Sequence, residues 1–137
     1  MSIKIELPPN FGRIHDAFPG ADKHGVLFAY GEHIYNPSGV FIPREIMAHE
    51  LRHCARQWQH DPEAWWEKYI TDDEFRYGEE LLAHVEEYVT VARGTRDRNQ
   101  QVRLVMRTAA RLVAPLYNYT PPRTMLQAIR DINNLAR

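Results

Sequence analysis

His49-Glu50-Leu51-Arg52-His53, inside the run Glu45 to Trp58, is the stretch from which the rest of the chain can be read. Met47, Leu51, Cys54 and Trp58 recur at helical spacing. Pro43 stands where a first helical turn tolerates its missing N–H. On such a helix, histidines four residues apart point the same way, one turn above the other. Imidazoles placed like this can grip a single zinc ion at about 2.0–2.1 Å. Glu50, on the adjacent flank, is then within reach of a water in the site and can take its proton. Five residues thus offer two ligands, His49 and His53, and a general base.

A catalytic zinc normally takes three protein ligands and keeps one position open, so a third ligand is expected elsewhere. An extended HExxHxxGxxH layout would need glycine at position 56 and histidine at position 59, where this chain has Arg56 and Gln59. His60 is one residue off, about 100° round a continuing helix. A later helix is the better source. Glu80 lies 27 residues after His53, with room for a short helix to turn the chain round. It shares a stripe with His84 and Glu87 at i, i+4, i+7. Glu80 is the leading candidate, with Glu79 and His84 behind it. Asp72 and Asp73 are accounted for as helix caps.

Outward from the motif, Ile3 to Leu7 alternates as a short strand ended by Pro8-Pro9, and Phe11 to Phe18 suits a short helix stopped by Pro19-Gly20. Gly25 to Tyr30 and His33 to Tyr35, about the turn Gly31-Glu32, read as a hairpin. Asp61-Pro62 caps an aromatic helix carrying Trp65, Trp66 and Tyr69. Thr71-Asp72-Asp73-Glu74 reads as a capping box opening a long helix, Asp72 to about Arg93, that Gly94 ends. Its apolar positions are Phe75, Leu81, Leu82, Val85, Tyr88, Val89 and Ala92. A helix from Arg98 to Leu116 should turn Val102, Val105, Ala109, Leu112, Val113 and Leu116 inward, and a last one carries Met125, Ile129, Ile132 and Leu135. Trp58, Trp65 and Trp66 are expected in the core. The class is α+β, mostly α, in one domain: a small β-rich part over residues 1–42, metal-site helices over 43–93 and basic C-terminal helices over 94–137.

A chain of 137 residues can bury a working core. No run approaches 18 apolar residues, so no membrane span is expected. The N-terminus does not read as a signal peptide, and the single Cys54 cannot form an internal disulfide, which favours a cytoplasmic setting. The net charge of −1 conceals an asymmetry. From Arg93 onward stand nine arginines and two acidic residues, +7; subtraction from the chain totals leaves 8 basic and 16 acidic residues before it, −8. Basic C-terminal helices packed on the acidic middle helix account for this. Arg103, Arg107 and Arg111 do form a stripe, but no stacking-aromatic pattern accompanies it, so nucleic acid is not the expected partner.

With His49-Glu50-Leu51-Arg52-His53, Gln57-Trp58, Asp61-Pro62, Trp65-Trp66 and Phe75-Arg76 leading into Glu80-Leu81-Leu82-Ala83, the chain resembles the gluzincin branch of zincin-like metallopeptidases. More narrowly, it is similar to small single-domain HExxH proteins of phage and prophage gene sets, over roughly residues 25–90. The resemblance implies a zincin-like fold with a small N-terminal antiparallel sheet or hairpin, an HExxH helix, a second ligand-bearing helix and two C-terminal helices. In such proteins the glutamate three residues before an alanine on the second helix is the third ligand, which matches Glu80. It also implies a zinc-dependent peptide hydrolase acting on a peptide or protein, with virion association for a phage-encoded member. A catalytically silent zincin-fold adaptor is the alternative. Val26, Leu27, Phe28, Ala29 and Tyr30 are the expected edge strand for substrate, and Tyr77, His84 and Tyr88 the candidates for oxyanion stabilisation.

Overall fold

The computed structural model describes residues 1–137 as an α+β, mostly helical chain. The elements are β1 (Ser2–Lys4), α1 (Phe11–Ala17), β2 (Phe28–Tyr30), β3 (His33–Tyr35), α2 (Arg44–Trp58), α3 (Pro62–Thr71), α4 (Asp73–Ala92), α5 (Arg98–Leu112) and α6 (Met125–Leu135). Single 3-10 turns at Pro19–Asp22 and Pro115–Tyr117 follow α1 and α5. No helix is long and apolar enough to cross a membrane.

The sheet has the order β1-β3-β2. β2 and β3 form the expected hairpin, pairing Phe28 with Tyr35 and Tyr30 with His33. Gly31, at φ 63°, takes the positive dihedral that the first position of a two-residue hairpin loop requires. β1 departs from the expected antiparallel arrangement: it lies parallel to β3, Ile3 opposite Ile34. Parallel neighbours need a crossover, and α1 with β2 supplies it. The bond from Asn36 N–H to the Lys4 carbonyl, 2.7 Å, extends the pairing by one residue.

Helix starts follow the local chemistry closely. The Asp61 carboxylate accepts from Ala64 N–H and Asp72 from Phe75 N–H, satisfying amides that a helix start leaves unpaired. Thr71 is therefore not the cap of α4; it ends α3, with its hydroxyl donating to the Glu67 carbonyl. Pro43 is the residue before α2 rather than its first turn. α5 stops at Leu112, short of the expected Leu116, because Pro115 restarts the chain as a 3-10 turn.

Two apolar clusters form. One joins Ile14, Phe18, Ala21, Phe28, Tyr35, Trp65, Trp66 and Tyr69. The other joins Tyr77, Val105, Ala109, Leu112, Tyr119, Ala128 and Ile132. α2 packs chiefly on α4; every residue α2 buries is polar (His49, Glu50, His53 and Gln57), and α4 buries Arg76, Glu79, Glu80, His84 and Glu87 beside Tyr77 and Ala83. The apolar row of α2 does not enter the core: Met47 and Cys54 are half-buried, Leu51 is exposed, and Trp58 is 77% exposed, contrary to the core position expected for it. Val102 on α5 is also exposed. A helix pair that turns charge toward its own interface must pair or ligate every buried group.

Candidate metal centre

His49 and His53 project from successive turns of α2 with their Nε2 atoms 3.2 Å apart. Glu80 faces both from α4: Oε1 lies 3.3 Å from His49 Nε2, and Oε2 lies 3.1 Å from His53 Nε2. All three side chains are buried. Donor atoms about 2.0–2.1 Å from one ion in tetrahedral array sit roughly 3.3–3.4 Å from one another, and each of these spacings is close to such an edge, with His49 and His53 facing different oxygens of Glu80. Two imidazole lone pairs at 3.2 Å repel unless a proton or a cation lies between them. Glu80 Oε1 is buried without a hydrogen-bond partner, whereas Oε2 accepts from the Tyr69 hydroxyl at 2.6 Å. His49, His53 and Glu80 could hold a metal ion.

The buried charges respond to one another. Burial disfavours a charged His49, yet the carboxylates of Glu80 and Glu87 beside it overcome this and raise its pKa to about 10. Burial likewise opposes ionisation of Glu80, and His53 with His49 outweighs it, holding the carboxyl well below its usual range. In the ion-free chain the His49 proton thus occupies the role of the cation the carboxylates call for. Burial pushes Glu50 upward, with His49 and His53 partly offsetting it. A carboxylate held this way is a better proton acceptor than an exposed one. Its Oε1 lies 4.0 Å from His49 Nε2.

Of the competing ligands, Glu79 is engaged elsewhere. Its Oε1 accepts from Trp65 Nε1 at 2.7 Å and from Arg56 Nε at 3.0 Å, tying α4 to α3 and α2. Asp72 caps α4, and Asp73 pairs with Arg76 and Arg123. His84 is fully buried, its Nδ1 bonded to the Glu80 carbonyl at 2.7 Å. Burial, then the positive His49, lowers its pKa to about 4, so it stays neutral. With His49 and Glu87 it forms a second group that could hold a metal. That group shares His49 with the first through the opposite ring nitrogen, because Glu87 Oε1 contacts His49 Nδ1 at 2.6 Å.

Glu87, on the same stripe as Glu80 and His84, is the main residue whose role only the structure reveals. A carboxylate on the far nitrogen of a ligand imidazole fixes its tautomer and its aim. Arg111 of α5 holds the other Glu87 oxygen at 2.7 Å. Arg123 reaches Asp73 and Glu74 in the same way, so basic C-terminal segments do pack on the acidic α4. Tyr69, bonded to Glu80, came from an aromatic run that looks like ordinary core.

The triad opens into a cavity of about 320 Å³ that Glu50 also lines. Ile14, Phe18, Val26, Leu27, Phe28 and Leu116 supply apolar wall; Arg111 and Tyr117 complete it. Three sequence expectations change here. None of the proposed oxyanion stabilisers lines this cavity: His84 sits behind His49, Tyr77 donates to Asp131 at 2.7 Å, and Tyr88 faces recesses along α5 and α6. Tyr117 lines it instead, placed by a turn that local sequence does not tie to α2. The edge strand is shorter than expected: Val26 and Leu27 precede β2, and only Phe28, Ala29 and Tyr30 belong to it. Its central carbonyl, Ala29, already accepts from Gln57 Nε2 at 2.8 Å and Trp66 Nε1 at 2.9 Å. Both lone pairs are used, which removes that acceptor from substrate pairing.

Comparison of the chain with protein-family models, with curated proteins and with solved structures finds no match. Function must therefore be read from the centre itself.

Proposed function

We propose that this protein is a zinc-dependent peptide hydrolase, with His49, His53 and Glu80 as ligands and Glu50 as general base. The observation that carries the reading is that two imidazole nitrogens 3.2 Å apart each lie 3.1 to 3.3 Å from an oxygen of the same buried carboxylate, facing a cavity that a second buried carboxylate, Glu50, also lines. Two imidazoles and a carboxylate suit zinc among the divalent ions. Zinc bound there supplies Lewis acidity, making water a stronger acid and polarising a carbonyl.

The residues of the chain do the remaining work. Glu50 takes the proton of the attacking water on its carboxylate as the oxygen–carbon bond forms. It then passes that proton to the leaving amine as the carbon–nitrogen bond breaks. Glu87, clamped by Arg111, holds the His49 ring in line, and Tyr69 steers Glu80 by occupying one of its oxygens. The Tyr117 hydroxyl is the neutral donor available to a developing oxyanion, since burial and then Glu80 push its pKa well above the ordinary tyrosine value.

The test is zinc stoichiometry by elemental analysis on the parent and on His49→Ala, His53→Ala and Glu80→Ala, followed by digestion of a peptide library with and without chelator. One zinc per chain, lost in the variants, with chelator-sensitive cleavage, supports the reading. Full zinc retention in all three variants ends it. Zinc binding without any cleavage moves the protein to the silent adaptor class.

A further inference from the structure

We infer that the centre acts at the C-terminal end of its peptide, with Arg111 gripping the free α-carboxylate and the wall of Ile14, Phe18 and Leu116 receiving an apolar last side chain. This rests on the hydrolase reading above. Three independent observations lead to it.

The first is size. A cavity of about 320 Å³ is near the lower end of the range of about 300–1,000 Å³ usual for small-molecule sites. It suits one large side chain and its main-chain ends rather than an extended peptide. The second is the edge of the sheet. The Ala29 carbonyl, in the middle of β2, has both acceptor positions filled by Gln57 and Trp66. A long substrate gripped by strand pairing would need that position. A substrate that ends in the cavity does not.

The third is Arg111. Its side chain makes one hydrogen bond, a single N–H to Glu87 Oε2 at 2.7 Å, and is 48% exposed while the Glu87 side chain is 4% exposed. A guanidinium carries five N–H donors in a planar fork, so four remain. Glu87 also shares its charge with His49 through Oε1 at 2.6 Å, which leaves Arg111 only partly compensated. Arg111 lines the cavity together with the ligands. Cation, fork geometry and an adjacent apolar wall are the features that recognise the terminus of a peptide ending in Phe, Leu or a similar residue. The reaction is hydrolysis of the last peptide bond. Water oxygen becomes part of the new carboxylate, the carbon–nitrogen bond breaks, and the amine of the released amino acid receives the proton carried by Glu50.

Calorimetry with two probes, N-acetyl-L-phenylalanine and its C-terminal amide, on the zinc-saturated chain tests this. The acid should bind about ten-fold tighter than the amide. Because a carboxylate can also ligate zinc, the comparison is repeated in Arg111→Met at saturating zinc, where the ratio should fall to about one. Leu116→Trp, which fills the apolar wall without touching Glu87, should weaken both probes alike and keep the ratio. Equal binding of acid and amide by the parent overturns the inference, with no variant needed, and so does a ratio that survives in Arg111→Met. Peptides ending in Phe, with free or amidated termini, separate this claim from the one beneath it. Equal cleavage of both forms overturns the terminal reading and leaves the hydrolase standing. A chain that holds no zinc defeats the hydrolase, while the acid-to-amide ratio still decides whether Arg111 reads a carboxylate.

Discussion

At the residue scale the proposed function separates groups that would hold a cation from one that would move a proton. Glu50 borders the ligands without being tied to them, so Glu50→Gln should keep zinc and lower hydrolysis by about 10²–10⁴-fold. Unchanged turnover would remove its role as base. Glu87 touches only the far side of His49. Glu87→Gln should therefore weaken zinc by about 10–100-fold in competition with a chromophoric chelator without abolishing it. The raised His49 pKa gives a further check. In the ion-free fold that proton is held at neutral pH and up to about 10, above the ordinary histidine value of 6.5. Its contribution to ion-free stability is complete below 6.5 and disappears as pH rises through 10. Zinc must displace the proton, so apparent zinc affinity should rise with pH across the neutral range. Calorimetry in two buffers of different ionisation enthalpy should read about one proton released per ion.

At the scale of elements, what matters is how α2 and α4 are held while facing each other with polar side chains. Gln57, fully buried, accepts from Gly31 N–H at 2.7 Å and donates to the Ala29 carbonyl, docking the end of α2 on the hairpin. Gln57→Ala leaves the Gly31 amide orphaned and should cost about 1–3 kcal/mol in urea unfolding, with zinc affinity little changed. Glu79 does the same for α3 and α4 through Trp65 and Arg56. Glu79→Ala should lower stability yet retain zinc, the reverse of Glu80→Ala. Zinc loss in Glu79→Ala with retention in Glu80→Ala would mean the two neighbours have been assigned the wrong way round.

For the whole molecule, two apolar clusters flank a seam of histidines and carboxylates. A seam of this kind is stable only when its charges are matched, so a bound ion should stabilise the entire fold. At a free zinc concentration about 100 times its Kd the linkage is about 2.7 kcal/mol, a rise in melting temperature on the order of 10 °C that chelator should reverse.

The motif, its helix and the caps at Asp61 and Asp72 were legible in the sequence, because spacing of 3.6 residues per turn and capping chemistry are local. So were the hairpin and a carboxylate of α4 facing the two histidines, since a fixed helical stripe leaves few such groups in reach. Four things were not legible. One is the burial of polar rather than apolar rows on α2, which leaves Trp58 outside. Another is the parallel pairing of β1. The engagement of Ala29 and the arrival of Arg111 and Tyr117 beside the candidate ligands complete the set. Each depends on which surfaces meet, and residues 24 or more positions apart make those contacts. Local physics determined which helix could offer a metal its first two ligands. Packing decided what surrounds those two histidines, because a charge buried among others takes its character from neighbours that the chain brings together only on folding.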